Sequence, residues 1–150
     1  MDDESRIDEE YYENGVKQFS VEYKNDIVIQ HKEWFENSQL SYEESFKDNI
    51  KESKLYFSNG QIATHSKMKT MELMGVARQH ILSDNNWYED GQIAKEEILG
   101  KKTIFYDKKG NEIVESEYFK LGHNRYLIKL YGETIKYKNP QRTPPSNFKQ

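Results

Sequence analysis

The chain of 150 residues fits one domain and does not require a second. Only 35% of its residues are hydrophobic, but 13% are aromatic, including eleven tyrosines, which is too many for a disordered chain and favours a sheet with a large water-facing area. The net charge of −4 argues against nucleic acid as a main partner, and the absence of cysteine excludes disulfides, thiolate catalysis and cysteine-based zinc sites.

The first nine residues form an acidic segment with no apolar run, so they do not resemble a signal peptide. No window of the chain approaches 18 apolar residues, so we expect no transmembrane segment. The chain as given is expected to be cytoplasmic, although an exported form whose signal had been removed would look the same.

A seven-letter pattern recurs through residues 10–138, which we interpret as one repeat domain. It consists of two aromatic residues, a short polar turn that ends in Gly or Ser, and the start of a strand. The copies are YYENGVK (11–17), WFENSQL (34–40), YFSNGQI (56–62), WYEDGQI (87–93) and the looser FYDKKGNEI (105–113). The turn residues Gly15, Ser38, Gly60, Gly91 and Gly110 are 23, 22, 31 and 19 residues apart, which is typical of repeat architectures.

Asn-Gly and Asp-Gly between hydrophobic runs predict hairpin turns, because Gly adopts the left-handed backbone conformation without steric cost. Ser38 should therefore strain its turn slightly. A second set of turns is predicted midway between the first, at 24–26, 47–49 and 99–101. The predicted fold is all-β: an elongated, twisted antiparallel β-meander of repeated hairpins, forming a single layer or a solenoid.

Alternation along the strands assigns the two aromatics of each copy to opposite faces of the sheet. The first aromatic is expected on the buried face, together with Phe19, Val21 and Tyr23. The second aromatics form a row that could dock a protein partner or could stabilise a thin sheet by cross-strand pairing. These candidate partner-binding residues are Tyr12, Phe35, Phe57, Tyr88 and Tyr106.

The repeat is interrupted by an insertion at 66–86, where the spacing grows from 22 to 31 residues. A short helix near 70–82 would place Met71, Met74 and Ile81 on one face, but Gly75 in its middle would cost about 1 kcal/mol. The alternative is two longer strands that turn at Met74 and Gly75. Met71 and Met74 are further candidate partner-binding residues, because methionine suits adaptable binding surfaces, although it also fills gaps in cores.

The repeated pattern resembles the bacterial MORN-variant repeat of YwqK-type antitoxin and immunity-like proteins. The matching residues are Tyr11-Tyr12-Asn14-Gly15, Trp34-Phe35-Asn37, Tyr56-Phe57-Asn59-Gly60, Trp87-Tyr88-Asp90-Gly91 and, less closely, Phe105-Tyr106 with Gly110. A degraded sixth unit could lie at 126–138. The insertion and the turns at 24–26 and 47–49 depart from the usual pattern, and specificity could have been added at the insertion.

No catalytic, cofactor or metal motif is recognisable. The four histidines lack the spacing of a helical metal site, and we interpret them as single surface residues: His31, His65, His80 and His123. Carboxylates are abundant, but an open meander offers no deep cleft in which a pair could act on a substrate. We therefore predict a non-enzymatic protein with no cofactor and no metal, and we give little weight to an enzyme with a site in the insertion.

The resemblance implies a protein that neutralises a cognate toxin by binding and occluding it, and the negative charge would complement a basic toxin. The alternative is a generic MORN-like interaction scaffold, possible at a membrane surface, with 101–109 as the closest approach to a basic cluster. The open sheet edges could be covered by the acidic N-terminus and by the Pro-containing tail at 139–150, or they could pair edge to edge with a second copy.

Overall fold

The computed structural model describes residues 4–137, which form a ten-stranded antiparallel sheet with two helices on one of its faces. The strands are β1 (Ser5–Tyr11), β2 (Lys17–Lys24), β3 (Ile27–Trp34), β4 (Leu40–Lys47), β5 (Ile50–Tyr56), β6 (Ile62–Leu73), β7 (Val76–Trp87), β8 (Ile93–Ile98), β9 (Ile104–Tyr106) and β10 (Glu112–Ile113). They lie in the sheet in sequence order. The helices are α1 (Glu115–Lys120) and α2 (His123–Thr134). The predicted all-β meander of hairpins is confirmed, and the tail at 139–150 lies outside the described residues.

The acidic N-terminal segment contributes an edge strand to this sheet. Strand β1 pairs with β2 along its whole length, and the Arg6 guanidinium lies 4.1 Å from the centre of the Tyr23 ring. The opposite edge is the two-residue strand β10. A charged edge strand and a very short one are both features that disfavour pairing with another chain.

Each copy of the repeated pattern forms the same tight loop at one end of the sheet. In the first copy the Tyr12 amide donates to the Val16 carbonyl (2.8 Å) and the Gly15 amide to the Tyr12 carbonyl (3.0 Å). The Asn14 carboxamide accepts from the Val16 amide and donates to the Glu36 carbonyl of the next loop. Asn37 and Asn59 repeat both contacts, so the recurrent Asn ties the loops into a row.

The recurrent Gly is favoured by its positive φ in every loop and also by its surroundings in the later loops. Gly60 has a φ of +90°, and a Cβ there would lie 3.1 Å from Oε1 of Gln39 in the preceding loop. Gly91 faces Gln61 in the same way. The exception is Ser38, with a φ of +71°, and the residue at the corresponding position of its preceding loop is Val16. Ser38, the one residue with a Cβ at this position, thus follows the only one of the first four loops that has no Gln side chain to meet that Cβ.

Replacing Ser38 with Gly is expected to stabilise the protein by about 1 kcal/mol, because it removes the left-handed strain of a residue with a Cβ. The reverse substitution, Gly15→Ser, should destabilise by a similar amount, since Gly15 has a φ of +88° and open space around it. Urea unfolding of both variants checks this pair. Equal effects of the same sign would show that backbone strain does not set these turns.

A one-residue bulge in each of the first four motif hairpins decides which side chains face the helices. Glu33 pairs with Tyr42 but Trp34 pairs with Leu40, which leaves Ser41 as the extra residue. The same shift leaves Gln18, Ala63 and Ala94 extra in the other hairpins. Because side chains alternate, one extra residue moves the following part of the strand to the opposite face.

The bulges contradict the prediction that the first aromatics are buried with Phe19, Val21 and Tyr23. We call the face that carries the helices the covered face and the other the open face. Trp34, Tyr56 and Trp87 lie half-buried on the open face, paired with Leu40, Ile62 and Ile93. Tyr11 is 57% exposed. Regular alternation of side chains along the strand, without the bulge, assigns these residues to the wrong face.

The two helices form a second layer that buries the covered face. Leu127 of α2 packs into a cluster with Tyr42, Leu55, Phe57 and Ala63, which Leu130, Tyr131 and Ile135 extend. Tyr118 of α1 packs with Tyr88, Ala94 and Phe105. A sixth repeat unit at 126–138 is therefore wrong: its apolar residues recur at helical spacing, and they face the sheet as the inner side of α2.

The insertion forms a long hairpin, so the helix considered near 70–82 is wrong. Strands β6 and β7 each have 12 residues and turn at Met74 and Gly75, which have φ values of +53° and +80°. The last backbone bonds to neighbouring strands are from the Thr70 amide to Asn49 and from the Leu99 amide to Leu82. Residues 71–81, called the arm below, extend beyond these neighbours, and every one of them is exposed.

Candidate functional site

The row of second aromatics is largely structural. Phe57 and Tyr88 are 2% and 3% exposed. The Phe57 ring stacks on Tyr126 of α2 with centroids 6.2 Å apart, and Tyr88 contacts His123 at 4.4 Å. Phe57 and Tyr88 are thus core residues with no surface for a partner, which favours the structural alternative for this row.

The other members of the row are half-buried at the loop end of the sheet. The Tyr12 hydroxyl donates to the Trp34 carbonyl (2.7 Å), as the Tyr88 hydroxyl does to the Tyr106 carbonyl (2.6 Å). Tyr106 therefore occupies the position of Trp34, which is that of a first aromatic. In the fifth copy the loop begins one residue later than the motif predicts. The Asp107 amide donates to the Asn111 carbonyl, as the Tyr12 amide does to the Val16 carbonyl in the first copy. Phe35 is half-buried in the second loop.

Met71 and Met74 both lie in the arm, where Met71 is 45% and Met74 is 96% exposed. Leu73 and Val76 are exposed beside them. Pairing places Met71 opposite Arg78, Leu73 opposite Val76 and Lys69 opposite His80, so these side chains share one side of the hairpin. The end of the hairpin, which we call the tip, is therefore apolar (Met71, Leu73, Met74 and Val76), and the cationic side chains of Lys69 and Arg78 lie next to it.

The turn of the arm is strained in a way that the other two-residue turns are not. Asn25-Asp26 and Asp48-Asn49 supply the residues that tolerate positive φ. Met74 adopts the same left-handed conformation, which costs about 1–2 kcal/mol for a residue with an ordinary side chain. Strain of this kind is concentrated at functional sites, so the arm combines exposure with a turn that is poor for folding.

A buried polar cluster fastens the end of α2 to the sheet. His31, Glu33 and Glu44 are almost fully buried. Nε2 of His31 lies 2.7 Å from Glu33 Oε2, and Nδ1 lies 3.6 Å from Glu44 Oε2. Glu33 also accepts the backbone amides of Lys136 (2.7 Å) and Tyr137 (3.2 Å). The two His31 nitrogens face different carboxylates. We call His31, Glu33 and Glu44 the clasp, because Glu33 joins His31 of the sheet to the chain that follows α2.

Replacing Glu33 with Gln should destabilise the protein by about 3 kcal/mol, because an NH2 group that cannot accept a hydrogen bond replaces one of the two buried oxygens that accept the Lys136 and Tyr137 amides. Glu22→Gln on the open face is the matched control and should change the free energy of unfolding by less than about 0.5 kcal/mol. Urea unfolding compares the two. Equal small effects would mean that the clasp does not hold α2 in place.

The start of α2 is tied to the fourth loop by two side chains. The His123 ring nitrogen Nε2 donates to the Trp87 carbonyl (2.9 Å), and burial lowers the pKa of His123 below 6.5. The Tyr126 hydroxyl donates to Glu89 (2.6 Å), which together with burial raises the pKa of Tyr126 to about 12. The interpretation of His31 and His123 as surface residues is wrong, since both are buried.

His123 makes stability depend on pH with a defined sign. Its folded pKa lies below the unfolded value, so the unfolded chain binds a proton more readily and stability falls as the pH drops below about 6.5. From pH 7.5 to 5.5 the wild type should lose up to about 1.4 kcal/mol more than His123→Gln, whose amide can still donate to Trp87. Urea unfolding at both pH values measures this. An equal loss in the two proteins would assign the pH dependence to other groups.

A cavity of about 420 Å³ lies between α2 and the covered face of β4–β8. Register arranges its floor in three cross-strand rows, of which the middle one is polar: Ser53, Ser66, Asp84 and Glu97. Lys95 reaches this row, with Nζ 2.8 Å from Asp84 and 3.3 Å from Glu97. Burial alone would lower the pKa of Lys95, but the attraction of the two carboxylates, Asp84 first, raises it.

The walls of the cavity are mainly apolar. Leu127 and Ile128 of α2 form one side, Phe119 of α1 forms an end, and Met68 and Ile81 form the outer row of the floor. The sequence analysis did not predict this site, because it predicted neither α1 nor α2. It also did not predict the bulges, and without them alternation does not give the face on which the floor residues lie.

No protein-family model matches the chain, and no curated protein is significantly similar to it. The resemblance to MORN-variant repeats therefore remains a prediction from the motif copies. Within residues 4–137, no helix is long and apolar enough to cross a membrane. In the same range, no group of three or more His, Asp or Glu side chains is arranged to hold a metal ion.

Proposed function

We propose that the protein is a non-enzymatic protein-binding module of antitoxin or immunity type, which binds a cognate toxin through the arm and occludes it. The observation that supports this proposal is the tip of the arm, where Met74 is 96% exposed in a left-handed backbone conformation. An apolar side chain that costs stability in the free protein is best explained by a gain on binding.

The energetics of the arm fit a binding role. An isolated two-stranded hairpin is marginally stable in water, and this one carries Met71, Leu73, Met74 and Val76 on its surface. Burying such a side chain against a partner contributes about 1.5–3 kcal/mol. A few of them are enough for a hot spot of the usual size, even after the entropic cost of ordering the arm.

The charges beside the tip indicate the chemistry of the partner surface. Lys69 and Arg78 lie on the same side of the hairpin as Met71. The local charge is therefore opposite to the net charge of −4. We infer an apolar patch with an acidic rim on the partner, in place of the basic surface that the net charge alone had suggested.

The antitoxin or immunity part of the proposal depends on the motif resemblance. Repeat scaffolds serve varied binding roles, so the shared loops indicate the architecture more strongly than the partner. The long hairpin interrupts the regular array at the position where specificity was expected.

Met74→Asn tests the proposal, because it separates folding from binding. Asn-Gly is the preferred sequence of this turn type, so the variant should be more stable than the wild type by about 0.5–1 kcal/mol. It should nevertheless bind the partner about tenfold more weakly or worse. The partner is captured with tagged wild-type protein from the native cells, and its affinity for purified variants is then measured by calorimetry.

The matched control is Leu99→Asn, which removes an exposed apolar residue from a turn outside the arm. It should leave the affinity unchanged. A partner that binds Met74→Asn as tightly as the wild type, or that is lost only in Leu99→Asn, would contradict the role of the arm.

A membrane-surface scaffold is the second candidate, favoured by the same apolar tip above Lys69 and Arg78. Apolar side chains with adjacent cations suit the interface of an anionic bilayer. Flotation with phosphatidylserine vesicles distinguishes the two: the protein-binding proposal expects no flotation, whereas flotation lost in Met74→Asn would favour the membrane.

A further inference from the structure

We propose that the cavity beneath α2 binds an uncharged, amphipathic small molecule, with an apolar body against the helix and hydrogen-bonding groups on the polar row. This inference is independent of the proposed protein-binding function, because the cavity floor and the arm tip use different residues.

The size of the cavity is the first argument. The helix and the sheet do not close on each other here, and they leave a partly open groove of about 420 Å³. It falls within the range of about 300–1,000 Å³ that is typical of small-molecule sites.

The lining divides the cavity into an apolar side and a polar side. Leu127, Ile128 and Phe119 line the helical side, and Leu55 begins the floor beneath them. The adjoining row offers the Ser53 and Ser66 hydroxyls, each of which can donate and accept a hydrogen bond. A mainly apolar pocket with a few convergent polar groups is the usual form of a ligand site.

The charges of the cavity favour an uncharged ligand. Lys95 lies between Asp84 and Glu97 at 2.8 and 3.3 Å, and Lys51 adds a second cation at the rim. Two carboxylates and two ammonium groups balance one another. A ligand ion would lose its hydration without finding an uncompensated opposite charge, and that loss is costly. Neutral hydroxyl, amide or ketone groups can bond to the row without this penalty.

The test uses the neutral fluorophore 6-propionyl-2-(dimethylamino)naphthalene as a probe of the full chain. We expect saturable binding at one site with a blue shift of its emission. Ser66→Phe fills the centre of the floor and should weaken binding by at least about tenfold. Ser83→Phe is the matched control, since Ser83 lies on the open face of β7 opposite Lys67, and it should bind as the wild type does. Circular dichroism melting confirms that each variant is folded.

A second variant tests the charge argument without filling the cavity. Asp84→Asn combined with Glu97→Gln removes both partners of Lys95. It should tighten binding of the anion 8-anilinonaphthalene-1-sulfonate by at least about tenfold while the neutral probe changes by less than about threefold. Met74→Asn should affect neither probe, which separates this site from the arm.

Several outcomes would overturn the proposal. One is the absence of saturable binding of the neutral probe to the wild type. Another is equal binding to the wild type and to folded Ser66→Phe, which would locate the probe elsewhere. If Ser66→Phe does not fold, the double variant decides: an unchanged affinity for the anion would show that the charged row does not line the binding site.

Discussion

The one-residue bulge of the motif hairpins determines which side chains of the sheet face the helices. The extra residues are Gln18, Ser41, Ala63 and Ala94, of which the last three are small and buried. Ala63 and Ala94 pack in the clusters that contain Leu127 and Tyr118 of the helices. In each hairpin the first aromatic lies on the open face, and the extra residue brings the strand that follows back to the covered face. Without the bulges, the apolar side chains of β2 and β4 would lie on the open face, and the sheet would have no continuous apolar surface for a second layer.

The covered face combines apolar packing with buried charge. Leu127 and Tyr118 anchor the helices on hydrophobic clusters, while Glu33 holds the chain after α2 through two backbone amides. A buried polar cluster of this kind is weak evidence for net stability, but it penalises any arrangement that leaves one of its members without a hydrogen-bond partner. The apolar contacts therefore supply affinity between the layers, and the clasp at Glu33 fixes the position at which α2 crosses the sheet.

The parts of the fold set by local chemistry could be predicted from the sequence, whereas the parts set by distant contacts could not. Asn-Gly loops and the turns at Asn25 and Asp48 were predictable because their residues determine the backbone locally. The bulges were not predictable, because the extra residues share no side-chain type that distinguishes them from the other residues of the repeat. The buried state of His31 depends on Glu33, Glu44 and the chain after α2. Of the candidate site, the sequence predicts Met71 and Met74 as binding residues, but it does not predict that they lie on an arm, because that depends on where β5 and β8 end.

We propose that the covered face serves the fold and that the arm binds the partner. Hydrogen–deuterium exchange of the full chain, with and without its captured partner, tests it most directly. Slower exchange confined to the arm, residues 71–81, is the predicted result, because no neighbouring strand protects its backbone bonds. Protection of strands β2–β4 with an unchanged arm would contradict the proposal and would favour an interface on the first aromatics of the open face.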